Sequence, residues 1–143
     1  MKGSSEFEKE EDLFFLLSLL IQRYGQPFEE CIPECREEIA RACAFMKRNY
    51  GERIYLDQIC RHAGLGRSTL LRAFMQSRGV TPYNYLQNIR IGKAKKLLEQ
   101  GIPPVHVALQ TGFSDQSHFT HYFKQFIGLA PGAYQDIFKH AGP

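Results

Sequence analysis

Five landmarks recur in this chain at one offset of 49 residues: Leu70 with Phe119, Phe74 with Phe123, Gly79 with Gly128, Pro82 with Pro131, and Tyr85 with Tyr134. Agreement at five places points to two copies of one supersecondary unit, and repetition of that kind constrains a fold more than any single segment does. The copies read "GLGRSTLLRAFMQSRGVTPYNY" from Gly64 and "GFSDQSHFTHYFKQFIGLAPGAY" from Gly112. Their opening glycines lie 48 apart, so the second copy carries one extra residue in its turn.

Each copy reads as a short helix, a glycine-bearing turn and a longer helix. In the first, Leu56–Ala63 is the short helix, Gly64-Leu65-Gly66 the turn and Arg67–Arg78 the longer helix. In the second, Pro103-Pro104 opens a helix that runs through Gln110, because proline is tolerated in a first turn, where its missing N–H is not needed. Gly112-Phe113-Ser114 is the turn, Asp115 the N-cap that accepts orphaned backbone N–H groups, and Gln116–Ile127 the longer helix. This is the helix-turn-helix pattern, whose second helix enters a major groove.

Between the copies, Thr81-Pro82 supplies an N-cap and a first-turn proline for a helix that runs to Gln100 and stops at Gly101. Leu86, Ile89, Ala94, Leu97 and Leu98 form its apolar stripe, which leaves Gln87, Lys93 and Lys96 facing water or a charged partner. At 1.5 Å per residue such a connector spans roughly 30 Å, close to the spacing of about 34 Å between successive major-groove faces. Upstream, Glu6–Tyr24 reads as a helix ended by Gly25-Gln26-Pro27, residues 25–35 as a linker, and Arg36–Asn49 as a helix with Ile39, Ala42, Cys43 and Met46 inward. The organisation expected is therefore residues 1–35 as a leader, 36–80 and 101–143 as the two units, and 81–100 as the connector.

Charge divides along the same line. Residues 1–35 hold three basic residues against eight acids, and residues 36–143 hold fifteen against seven, for nets of −5 and +8. An acidic leader on a basic body suits a polyanionic partner. The apolar run Leu13–Ile21 is too short to span a bilayer and no export signal is visible, so no membrane role is expected and the chain is placed in the cytoplasm, with its four cysteines reduced.

The second copy, with Gly112-Phe113, Asp115, Ser117, Phe119, Phe123-Lys124, Phe126, Gly128, Pro131 and Tyr134, resembles the DNA-binding domain of the AraC/XylS family of transcriptional regulators. Leu56, Ile59, Gly64, Leu70, Phe74, Gly79, Tyr85-Leu86, Arg90, Ala94 and Leu97-Leu98 carry the likeness in the first copy, and it covers about residues 39–138. Departures are Tyr55 and Gly66 at helix starts, Cys60 in place of alanine, Pro103-Pro104, and Gln135 after Tyr134. The resemblance implies an all-α fold in which a long connector helix joins two helix-turn-helix subdomains, with an extra N-terminal helix ahead of them. It also implies sequence-specific binding of double-stranded DNA and no catalysis. Because family members join this domain to a sensing or dimerising one, the Phe7–Tyr24 helix is expected to be the tail of a missing domain.

Spacing turns Leu70, Ala73 and Phe74 inward and leaves Arg67, Ser68, Leu71 and Arg72 outward. The 49-residue shift turns Phe119, Tyr122 and Phe123 inward and leaves Gln116, Ser117, Thr120 and His121 outward. The resemblance implies base contacts at these same positions. Arginine pairs with guanine in bidentate fashion, Gln116 can do so with adenine, and Leu71 suits a thymine methyl. Arg61, Lys93, Lys96 and Lys124 are the expected phosphate contacts, and no role is assigned to Arg90. RNA polymerase, and a second copy of the chain through residues 7–24, are further candidate partners.

Two other classes compete. One is a helical protein-interaction module for which DNA is incidental. The other is a metal or redox sensor built from Cys31, Cys35, Cys43, Cys60 and His62. Against the second, Cys43 and Cys60 fall at helical spacing on apolar faces, where a free cysteine acts as a small hydrophobe. His106, His118 and His140 are expected at the surface. No nucleophile–base pair or paired carboxylate stands out, and neither a cofactor nor a metal is expected.

Overall fold

The computed structural model describes residues 2–24 and 34–139. Its helices are α1 (Lys2–Tyr24), α2 (Arg36–Asn49), α3 (Leu56–Ala63), α4 (Arg67–Arg78), α5 (Pro82–Glu99), α6 (Pro104–Gln110), α7 (Gln116–Ile127) and α8 (Pro131–Lys139), with no strand among the described residues. The expected all-α architecture holds. The linker expected over 25–35 falls mostly outside the described residues, as do Cys31 and His140.

Local chemistry sets the helix ends. Thr81 Oγ1 accepts from the Asn84 N–H at 3.1 Å with Pro82 at the first helical position, and Asp115 Oδ1 accepts from the His118 N–H at 2.7 Å. Gln58 serves α3, where Tyr55 has no capping hydroxyl in place: its Oε1 accepts from the Tyr55 N–H at 2.8 Å. Both long helices of the repeat stop on a left-handed glycine, Gly79 at φ 73° and Gly128 at φ 90°.

The repeat survives in three dimensions. Phe74 meets Tyr85 edge-on at 5.3 Å, and Phe123 meets Tyr134 in the same way at 5.4 Å. Each pair clips the end of a long helix to the helix that follows it, worth about 0.5–1.5 kcal/mol beyond the area buried. Leu70, Ala73 and Phe74 are buried in one unit, and Phe119, Tyr122 and Phe123 in the other.

Connector α5 packs against α1, α2 and α4 of the first half and against α6, α7 and α8 of the second. The solvent face left to a helix gripped on both sides holds Lys93 and Lys96 but not Gln87, and this corrects the expected placing of Gln87, which is fully buried. Arg90 is buried as well. Its Nε donates to the Tyr50 carbonyl and its Nη2 to the Glu52 carbonyl, both at 2.9 Å, while its Cζ lies 5.9 Å from the centre of the Phe113 ring. Burial pushes its pKa down to about 10, so the guanidinium stays charged and fastens the end of α2 to the turn of the second unit.

Helix α8 has no counterpart in the sequence reading. Its Gln135 is buried, and Nε2 donates to the Leu98 carbonyl at 3.1 Å and to the Ile102 carbonyl at 2.7 Å. Those bonds tie α8 to the end of α5 and to the segment just past it; the Leu98 carbonyl also accepts from the Gly101 N–H at 3.0 Å.

Candidate nucleic-acid interface

On α7 the polar residues between the buried aromatics stand free of the core. Gln116, Ser117 and His121 are exposed and Thr120 is half-buried. Tyr122 and Phe119 pack beneath them with Phe113, so a rigid aromatic floor fixes the direction in which this edge points. His118 is half-buried rather than at the surface: its Nδ1 lies 3.2 Å from Ser114 Oγ, and burial pushes its pKa below the ordinary value. It therefore sits behind the polar edge, bracing the turn.

On α4 the placement differs. Arg67, Ser68 and Arg72 are exposed, but Leu71 is fully buried. That corrects the expected outward position of Leu71, which borders a shallow groove together with Leu56 and Arg67 and with Leu13, Phe14 and Leu17 of α1. Arg67 is half-exposed and doubly engaged. Its Nε donates to Asp57 Oδ1 at 2.9 Å, and its Nη1 lies 3.4 Å from Glu10 of α1. The bond it donates to Asp57, more than any other influence, raises the pKa of Arg67, so this side chain keeps its charge.

Helix α1 also reaches the start of the connector. Phe7, almost wholly buried, meets Tyr83 edge-on at 5.2 Å, and Tyr83 in turn lies 6.0 Å from Tyr122 of α7. Glu11 is buried and its Oε1 accepts from the Tyr83 N–H at 2.9 Å. Burial pushes the Glu11 carboxyl up to about 7, against the opposing pull of the Tyr83 amide and the Thr81 hydroxyl.

The candidate phosphate contacts Arg61, Lys93, Lys96 and Lys124 are all exposed. Lys93 and Lys96 share a groove with Lys47, Asn88, Ile89 and Gly92, and Lys93 Nζ lies 5.6 Å from the centre of the Tyr50 ring. Lys47 escaped the sequence reading because it belongs to α2, outside both copies. The signal was present in its position on the polar side of that helix, in the last turn.

Cys35, Cys43 and Cys60 are buried in the core, and burial, followed by the charge of Asp57, raises the pKa of the Cys60 thiol. Among the described residues no three His, Cys, Asp or Glu side chains gather as a metal site, and no helix is long and apolar enough to cross a membrane.

The chain matches the helix-turn-helix domain family over residues 59–137. It is 43% identical over 111 residues to the uncharacterized HTH-type transcriptional regulator YbfI of Bacillus subtilis (strain 168), a match covering 77% of this chain and 40% of the relative. The chain thus spans about two fifths of the length of the curated relatives it matches. In structure it is similar to an AraC-type DNA-binding regulator from Chromobacterium violaceum, with a TM-score of 0.66 and 27% identity, covering 73% of this chain and 95% of that one. The DNA-binding domain of AdpA, solved with a target DNA, shares the fold with a TM-score of 0.71 at 24% identity, covering 75% of this chain and 97% of that one.

Proposed function

The chain belongs to the helix-turn-helix family of AraC-type transcriptional regulators, and on that premise we propose that it binds double-stranded DNA sequence-specifically through α4 and α7, laid in successive major grooves. The observation that carries this reading is the duplicated unit itself. Each long helix is fixed by the same Phe–Tyr clip and glycine stop, and both units are bolted to one connector. Eighteen residues of α5 span about 27 Å, which suits tethered helices about one duplex turn apart.

In this reading Arg67, Ser68 and Arg72 address one groove, and Gln116, Ser117, Thr120 and His121 the next. Arg61, Lys93, Lys96 and Lys124 hold the backbone, joined by Lys47. Phosphate contacts set affinity and register while the edge residues set preference. The site of action is the cytoplasm, and RNA polymerase is the candidate protein partner. Leu13, Leu16, Leu17 and Leu20, each about half-exposed or more at helical spacing, support self-association through α1.

Fluorescence-anisotropy titration at several salt concentrations tests the reading. With four or five phosphates engaged, the logarithm of affinity should fall with log salt at a slope of about −4. Equal affinity for the preferred duplex and a scrambled one at physiological salt contradicts it.

A further inference from the structure

The two copies act as each other's control, and two equivalent positions of their long helices differ in surroundings. Leu71 and Thr120 occupy equivalent positions 49 residues apart, yet Leu71 is fully buried while Thr120 remains partly open. Arg67 and Gln116 are likewise equivalent, but only Arg67 faces an acid from outside its own unit. Helix α1 borders both of these first-unit positions.

We propose that α1 competes with DNA within the chain: its acidic edge takes the place of the phosphate backbone across the first reading helix and the head of the connector, and α4 engages a groove only after α1 has left. The proposal rests on the DNA-binding reading above. Three contacts carry it. Glu10 pairs with Arg67, Glu11 takes the N–H of Tyr83 in the first turn of α5, and Phe7 wedges against the Tyr83 ring. A carboxylate on an exposed arginine, and another on a backbone N–H at a helix start, stand where anionic phosphate oxygens would be received.

Charge and packing both suit an occupant that can leave. Residues 6–12 of α1 carry five acids and one lysine, the sign a DNA-facing surface attracts. The docked stripe is narrow: among the residues of α1 whose burial is described, Phe7 and Glu11 are buried and Phe14 is half-buried, while Leu13, Leu16, Leu17, Leu19 and Leu20 stay exposed. Elements held by few buried contacts open at low free-energy cost. The carboxyl of Glu11 is moreover buried without a cationic partner, which weakens the docked state further.

The test uses the full chain, a duplex recovered by selection from a random pool, and backbone hydrogen exchange of residues 2–24 measured with and without that duplex. Saturating DNA should deprotect α1. Phe7→Ala should tighten apparent binding by about tenfold, as expected when a competent state populated at roughly one part in ten becomes dominant, and Glu10→Gln, which breaks a partly exposed ion pair, by about threefold to fivefold. Asp12→Asn, which removes the same charge from an exposed position, should change it less than about twofold. An α1 that stays protected in the DNA complex overturns the proposal, as does equal tightening by Glu10→Gln and Asp12→Asn. Binding by none of the proteins at low salt, Phe7→Ala included with its α1 deprotected, removes the DNA-binding reading itself. Glu10 is partly exposed and Gln keeps its shape, so that variant remains informative if Phe7→Ala folds poorly.

Discussion

A Cβ placed on Gly112 would come within 2.9 Å of Arg90 Nε. The turn of the second unit and the central arginine of the connector therefore fit only because residue 112 has no side chain. The same Cβ would collide with the Tyr50 carbonyl, the acceptor that Arg90 Nε uses. One small volume thus joins the end of α2, the connector and the second unit.

Gly112→Ala should for this reason destabilise the chain more than Gly79→Ala does. Both glycines sit at positive φ, 87° and 73°, but Gly79 has open space around it. The conformational penalty alone is about 1 kcal/mol. The clash with backbone at Gly112 should bring the total to about 3 kcal/mol or more. Urea unfolding of the two variants side by side checks this, and equal midpoints would remove the proposed role of the Arg90 junction.

Gln135→Leu should cost about 1–2 kcal/mol, because the Ile102 carbonyl loses the Gln135 donor and the Leu98 carbonyl keeps only the Gly101 N–H. Thermal melts would report the loss. The set of DNA sequences preferred by the variant should not change, since Gln135 lies in α8 and its side chain bonds to the end of α5 and the segment after it rather than to the polar edges of α4 and α7.

Docking of α1 should depend on pH. The folded-state value of Glu11, about 7, lies above its ordinary 4.5, so the docked state favours the neutral acid. Docking is then strongest below pH 4.5, weakens as pH rises from 4.5 to 7, and is level above that. The full swing is on the order of 3 kcal/mol. Around the carboxyl lie Asp12 and Glu8, which push its pKa up, and the Tyr83 amide and Thr81 hydroxyl, which pull it down. His118, which feels Glu8, adds attraction of the same sense if it is protonated at low pH. Exchange protection of α1, corrected for intrinsic rates, should fall from pH 5 to 7.5 in the natural chain and change far less in Glu11→Gln. Equal pH profiles for the two would show that Glu11 is not the titrating group.

How much of this was legible in the sequence depends on range. Helix starts and stops rest on neighbours, and Thr81-Pro82, Asp115, Gly79 and Gly128 announced them within a turn. The offset of 49 residues then gave the pairing of Phe74–Tyr85 with Phe123–Tyr134, because a repeat carries long-range information in local form. Helix α8 was missed although the same offset holds its signal: Pro82 opens α5, so its equivalent Pro131 opens a helix too. Leu71 and Gln87 were misplaced for another reason. Leu71 borders a groove shared with α1, and Gln87 lies on a helix packed from both halves, against partners distant in sequence that no periodicity reveals. The Glu10–Arg67 and Glu11–Tyr83 contacts are of the same long-range kind.

Two reading helices tethered by α5 fix the spacing of what the chain reads. Sequences selected by the full protein from random duplex should contain two informative blocks, centred about 10–10.5 base pairs apart. Arg72→Ala should erase a position in one block, Gln116→Ala a position in the other, and each should cost about 1–3 kcal/mol on the preferred duplex. A single block, or two variants that weaken every sequence alike, would contradict it.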